Sequence, residues 1–142
     1  MVSGSSPPRK LVLDTSAYSH LRSGDERVVD LLAASETIVV PAIVLGELEA
    51  AFRAGKRTRA NLQALGEFLR EPGVIVENVD AEVAARYGVL FAELRAAGTP
   101  LPTNDVWIAA CTSVAGGHLL TFDSDFESVR GLSVTILPVP PR

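Results

Sequence analysis

Cysteine is nearly absent from this 142-residue chain, which carries one. A single thiol excludes an internal disulfide framework, and it excludes a Cys-based structural zinc site, which needs at least two thiolates. A reducing compartment, hence the cytoplasm, is the expectation. Long hydrophobic runs are missing as well: no stretch approaches the ~18 apolar residues of a membrane span. Met1 to Lys10 is Ser, Gly and Pro without an apolar core, which excludes a secretory signal there. An excess of positive charge is also lacking. Acidic residues (17) outnumber basic ones (13) and leave a net charge of −4, which argues against binding nucleic acid by sheer positive charge. An approach to nucleic acid through a metal stays open. Neither a Walker loop nor a dinucleotide glycine fingerprint is present.

What is present suits one folded domain. Hydrophobic residues make up 47% of the chain, too many for a largely disordered protein. The length fits one domain with a sizeable core. Residues 1–9 read as a flexible leader, 10–138 as the domain and 139–142 as a tail.

Apolar runs without alternation mark strands buried on both faces. Leu11 to Leu13 is such a run; Thr37 to Val40, β-branched, reads as a second strand, Val74 to Val76 as a third, and His118 to Phe122 and Val134 to Leu137 as the last two. Helices are expected over 15–21, 25–34, 41–54 (opened by Pro41), 56–70, a span after the cap Asp80, and 103–115. In the helix after Asp80, Val83, Tyr87, Leu90, Phe91 and Leu94 recur with the 3.6-residue period of a buried stripe. Strands alternating with helices predict an α/β fold around a mostly parallel sheet.

Four carboxylates stand in unusual places. Asp14 follows Leu11-Val12-Leu13 and Asp123 follows Leu119-Leu120-Thr121-Phe122, so both belong at the carboxyl ends of strands, where open α/β sheets bind ligands. Either alone reads as a helix cap; two at one edge favour a site. Glu47 has Ile43, Val44, Ala50, Ala51 and Ala54 as its helical neighbours, an apolar arc that aims it inward, with Glu49 and Arg53 marking the solvated face. An inward carboxylate needs a salt-bridge partner or a metal. Asp105 lies in a helix's first turn, where the dipole welcomes an acid, yet its neighbours Ile108, Ala109 and Thr112 also face inward. Four converging acids require a divalent cation, and oxygen ligands select Mg²⁺ or Mn²⁺. Metal-assisted hydrolysis of a phosphodiester is the matching chemistry.

Leu11-Val12-Leu13-Asp14-Thr15-Ser16, Gly46-Glu47-Leu48, Asn104 to Ala110 and Leu120 to Phe126 together resemble a PIN-domain ribonuclease, most closely a VapC-type toxin of a type II toxin–antitoxin pair. Their order and spacing carry the resemblance from Lys10 to Leu137. It implies a PIN-like three-layer fold with about five mostly parallel strands, and cleavage of RNA with Mg²⁺ or Mn²⁺. It also implies a cognate VapB-type antitoxin and a homodimer. By the resemblance, Asp14 and Asp105 are the principal metal ligands, and Glu47 and Asp123 complete the quartet directly or through water. Thr15, Ser16 and Thr121 match supporting hydroxyl positions, with Asp125 a further acid beside Asp123.

Arg53, Lys56, Arg57 and Arg59 form the densest basic cluster, read as a solvated face, an RNA contact or an antitoxin contact. Cys111 and Trp107 read as packing, and His20 and His118 lack metal-ligand spacing. A phosphatase of the haloacid-dehalogenase type also places an Asp after its first strand, but it wants an acid where Ser16 stands and a lysine beyond Lys56, the last one here. A phospho-acceptor receiver fails on the same lysine. A non-catalytic PIN-like RNA-binding module is expected to have lost some of the four acids.

Overall fold

The computed structural model describes residues 8–141. From the N-terminus the elements are β1 (Lys10–Leu13), α1 (Thr15–Arg22), α2 (Glu26–Ala34), β2 (Thr37–Pro41), α3 (Ala42–Ala54) and α4 (Thr58–Leu69). Then come β3 (Val74–Glu77), α5 (Ala81–Ala96), α6 (Thr103–Ala115), β4 (His118–Thr121), a 3-10 turn (Ser124–Ser128) and β5 (Val134–Ile136). All pairings are parallel, in the order β3-β2-β1-β4-β5.

That order follows from the burial pattern. Leu11, Val12 and Leu13 of β1 are fully buried, as a central strand with helices over both faces must be. Val12 sits level with Val39 and Leu119 and joins them in the core beneath α3, α5 and α6. Leu11 and Leu13 point the other way and pack with Ala17 of α1 and Val28 of α2. The result is three layers. The chain adds β2 and β3 on one flank of β1, then returns to add β4 and β5 on the other. The direction of strand addition therefore reverses between β1 and β4, and a crevice forms outside their carboxyl ends.

Gly117 lets β4 start tight against β1. A Cβ there would lie 2.6 Å from Val12 Cγ2, so only glycine fits. Gly116 before it ends α6 in the left-handed conformation, φ 64°.

Element ends depart from the sequence reading by a residue or two, and Pro41 departs in kind. It closes β2 and stands outside α3 as its N-cap, with an extended ψ of 143°, instead of opening the first turn. Phe91 leaves the expected stripe: Val83, Leu90 and Leu94 are buried, but Phe91 is 42% exposed and stacks on Tyr87. The arc around Glu47 is corrected too. Val44 and Leu48 form the core side of α3, whereas Ala50, Ala51 and Ala54 are exposed and Glu47 is only half-buried. Alanines cost little on either side of a helix, so they do not define its buried face. Of the expected leader, residues 1–7 lie outside the described residues, as does Arg142 of the tail.

Candidate acidic site at the strand ends

Asp14 stands where β1 becomes α1. As the α1 N-cap, its Oδ1 accepts from the Ala17 N–H at 2.8 Å and from Ser16 Oγ at 2.7 Å. Its Oδ2 accepts from the Thr121 hydroxyl at the end of β4. Both hydroxyls are steered by the turn that follows β4. The Phe122 N–H donates to Ser16 Oγ, and the Asp123 N–H to Thr121 Oγ1, each at 3.0 Å. A hydroxyl that accepts from an N–H directs its own proton elsewhere, here onto Asp14. One carboxylate thus ties two neighbouring strand ends together; Oδ1 accepts two bonds, and Oδ2, which accepts one, still has a lone pair to offer.

Asp14 is 4% exposed, and burial pushes its pKa up. The bonds from Thr121, Ala17 and Ser16 pull it down, and the charge of Asp123 adds a further upward push. Asp123 itself caps the 3-10 turn by accepting from the Asp125 N–H at 2.9 Å. Capping does not therefore exclude a place in the candidate site: the same two carboxylates cap and stand at the strand ends.

Glu47 reaches the edge from α3. Its Oε1 accepts from the Thr15 hydroxyl at 2.5 Å, and its Oε2 from Asn104 Nδ2 at 3.3 Å. This links α1, α3 and α6 through one side chain. The expected alternative, an arginine salt bridge, does not occur among the described residues, whose ion pairs are Arg9–Glu36, Arg27–Asp25 and Arg53–Glu49.

Asp105 follows Asn104 in the first turn of α6, whose N-cap position is Pro102. Its pKa is pushed up to about 6, first by burial and then by the charges of Asp123, Glu47, Asp14 and Asp125. Asp105 is the group on which all the other acids act. Asp125 is exposed on the 3-10 turn. Among the described residues no three acidic, imidazole or thiol groups close on one point as a finished cage. The donor set still fits a hard cation: every donor is an oxygen, and among the described residues no cation pairs with any of these acids. Mg²⁺ in particular is held by one or two carboxylates with waters completing its shell.

Two contributors went unnoticed in the sequence. Asn104 reaches Glu47, and its adjacency to Asp105 is the usable signal for it. His20 stacks on Phe122 at 3.7 Å and 12°, its Nδ1 2.9 Å from the Ser16 carbonyl, which braces the turn carrying Asp123; nothing local in the sequence announces that contact. Arg53, Lys56, Arg57 and Arg59 are exposed around the end of α3 and the start of α4. Arg53 pairs with Glu49 and lies six residues beyond Glu47, about 9 Å along the helix. Cys111 is fully buried with its thiol pKa pushed up to about 12, first by burial, so it is inert packing. Trp107 stacks on Tyr87 against the core.

Fold and site define a class: a parallel α/β domain that gathers carboxylates at the point where its strand order reverses. The chain belongs to the PIN-domain family, whose model matches residues 11–132. It is similar to Ribonuclease VapC5 of Mycobacterium tuberculosis, 29% identical over 136 residues that cover 95% of this chain and 99% of that protein. Among solved structures it resembles a chain of VapBC2 from Rickettsia felis, bound to a DNA fragment from their promoter, with a TM-score of 0.79. That match is 25% identical and covers 90% of this chain and 98% of the other. It also resembles VapBC-5 from Mycobacterium tuberculosis, with a TM-score of 0.69, 27% identity, and 93% and 100% of the two chains covered.

Proposed function

We propose that this chain is a metal-dependent endoribonuclease and the toxin of a bacterial toxin–antitoxin pair, acting in the cytoplasm through residues 10–138 as one catalytic domain. The observation that carries this reading is the gathering of Asp14 from the end of β1, Glu47 from α3 and Asp123 and Asp125 from the 3-10 turn around Asp105 of α6, whose pKa burial and these charges push up to about 6. Such stored repulsion has a use when a cation relieves it. The curated relatives similar to this chain are named ribonucleases VapC5 and VapC4.

In this reading Asp14 and Asp105 hold Mg²⁺ or Mn²⁺, with Glu47 and Asp123 completing the shell directly or through water. When bound, the cation supplies Lewis-acid stabilisation of the scissile phosphate and a lowered pKa for water. The protein's share is placement. Ser16 and Thr121 fix both oxygens of Asp14, and Thr15 and Asn104 fix those of Glu47. Asp125 adds negative charge at the rim. Arg53, Lys56, Arg57 and Arg59 offer phosphate contacts to RNA or ion pairs to an acidic segment of a VapB-type antitoxin. Exposed apolar residues on β3 and α5, among them Ile75, Val76, Val89 and Phe91, offer a surface for a homodimer.

The phosphatase alternative requires an acid where Ser16 stands, and Ser16 is occupied in holding Asp14. The binding-module alternative leaves four retained carboxylates without a task. The deciding experiment is RNA cleavage by the purified protein, abolished by EDTA and restored by Mg²⁺ or Mn²⁺. Undiminished cleavage in EDTA overturns the reading. Light scattering at high micromolar concentration tests the dimer.

A further inference from the structure

The carboxylates occupy one end of the parallel sheet, and a large cavity lies at the other. It measures about 1270 Å³ and opens between the starts of β1 and β4, the end of α6, the loop before β5 and one side of α5. Its charge reverses that of the chain. Arg9, Lys10, Arg86 and Arg130 line it against one acid, Glu93, in a protein of net charge −4. Arg9 is engaged by Glu36 at 2.7 Å. Lys10 donates to the Ala115 carbonyl at 3.0 Å, covering the end of α6 whose negative dipole would otherwise repel an anion. Arg86 and Arg130 form no ion pair among the described residues.

The wall beside these cations is polar and already ordered. His118 Nδ1 lies 2.6 Å from Ser133 Oγ, and its Nε2 2.6 Å from Thr135 Oγ1. Burial lowers the His118 pKa and so favours the neutral ring. A neutral ring donates to one of these hydroxyls and accepts from the other. The hydroxyl that accepts keeps its proton free to donate into the cavity. Leu31, Leu90 and Leu132 supply an apolar side.

We propose that this cavity is a second ligand site, distinct from the acidic edge, and that it binds a nucleotide through its phosphate. Arg86 and Arg130 are the unengaged cations for the phosphate. The leucines suit the face of a base, and the Ser133–His118–Thr135 row suits the polar edge of a base or ribose. The volume exceeds the roughly 300–1,000 Å³ of ordinary ligand pockets, so a bare anion would leave most of it empty. Asp105 and Gly116 lie at opposite ends of α6, about 16 Å apart along its axis, so the two sites can be probed separately.

The test is calorimetric titration of the full chain in EDTA, where cleavage by the acidic edge is off and metal-bridged binding cannot contribute. The probes are AMP, inorganic phosphate and a short single-stranded oligoribonucleotide without terminal phosphates. AMP should bind more tightly than inorganic phosphate. Arg86→Gln and Arg130→Gln should each weaken AMP about tenfold, with unchanged melting temperatures and unchanged RNA cleavage when metal is restored. Ser133→Ala should weaken it less. Tighter binding of AMP than of the oligonucleotide identifies a free nucleotide as the ligand; the reverse order, with the same arginine dependence, identifies a strand's internal phosphate. No binding of either at millimolar concentration overturns the proposal. So does equal binding of phosphate and AMP, or binding that both arginine variants leave intact.

Discussion

The Thr121 hydroxyl donates to Asp14 Oδ2 from 107 positions away in the chain, and it accepts the Asp123 N–H in turn. Thr121→Val keeps the shape and removes both bonds. It leaves a buried carboxylate oxygen and a backbone N–H without that partner, at a cost of about 1–3 kcal/mol. Thermal melts should show a fall of several degrees. The Asp14 pKa should rise further, so the activity–pH profile should move to higher pH.

Asp105 carries a sign that a structural carboxylate would not. Its folded pKa, about 6, lies above its ordinary value of 3.8. The folded state therefore binds the extra proton more tightly than the unfolded chain does. Stability from this group is fully present below about pH 3.8 and is lost as pH rises through 6. Asp105→Asn should accordingly melt at or a few degrees above wild type in EDTA near neutral pH, with the gap closing in acid, while cleavage is lost. A variant that melts well below wild type in EDTA would show Asp105 to be a structural residue.

Metal should stabilise the wild type by mass action, about 2.7 kcal/mol at a concentration a hundredfold above Kd. Melts with and without Mn²⁺ should differ by several degrees. In Asp14→Asn and Asp105→Asn most of that difference should vanish.

The Glu47 clamp gives a graded series. Thr15→Val and Asn104→Ala touch only the positioning of Glu47, and loss of such outer contacts typically costs 10–100-fold in metal affinity or activity. Asn104→Ala acts on an exposed bond of 3.3 Å, so its melting temperature should hardly change. A fall in cleavage at constant stability, measured side by side, is the expected outcome.

For the basic cluster, the readout is salt. If Arg57 and Arg59 meet RNA phosphates, replacing each with Gln should weaken RNA uniformly across sequences and flatten the salt dependence of binding by about one phosphate contact each. An unchanged slope with weakened antitoxin binding assigns the cluster to the antitoxin.

Much of this was legible in the residues. The fully apolar β1 announced a central strand covered on both faces, and an acid after β1 and another just beyond β4 pointed to the carboxyl edge as the candidate site. Asp105 was legible because α6 has no outward stripe: Ile108, Ala109 and Thr112 are all buried. Glu47 was singled out through a face that proved exposed, since alanine carries too little surface to orient a helix. Its real anchors, Thr15 and Asn104, lie 32 and 57 positions away and leave no local trace. Phe91 fits the helical period of the core yet lies outside it, because period fixes angle and not what covers that angle.

The neighbours of β1 have a temporal consequence. One of them, β4, begins at His118, so the partner that clamps Asp14 emerges last in synthesis. A nascent chain that stops short of Thr121 lacks both the hydroxyl and Asp123 that finish the edge. The proposed hydrolytic edge is therefore incomplete in every chain that stops short of Thr121 and Asp123, and it comes into being only when β4 slides in beside the first strand.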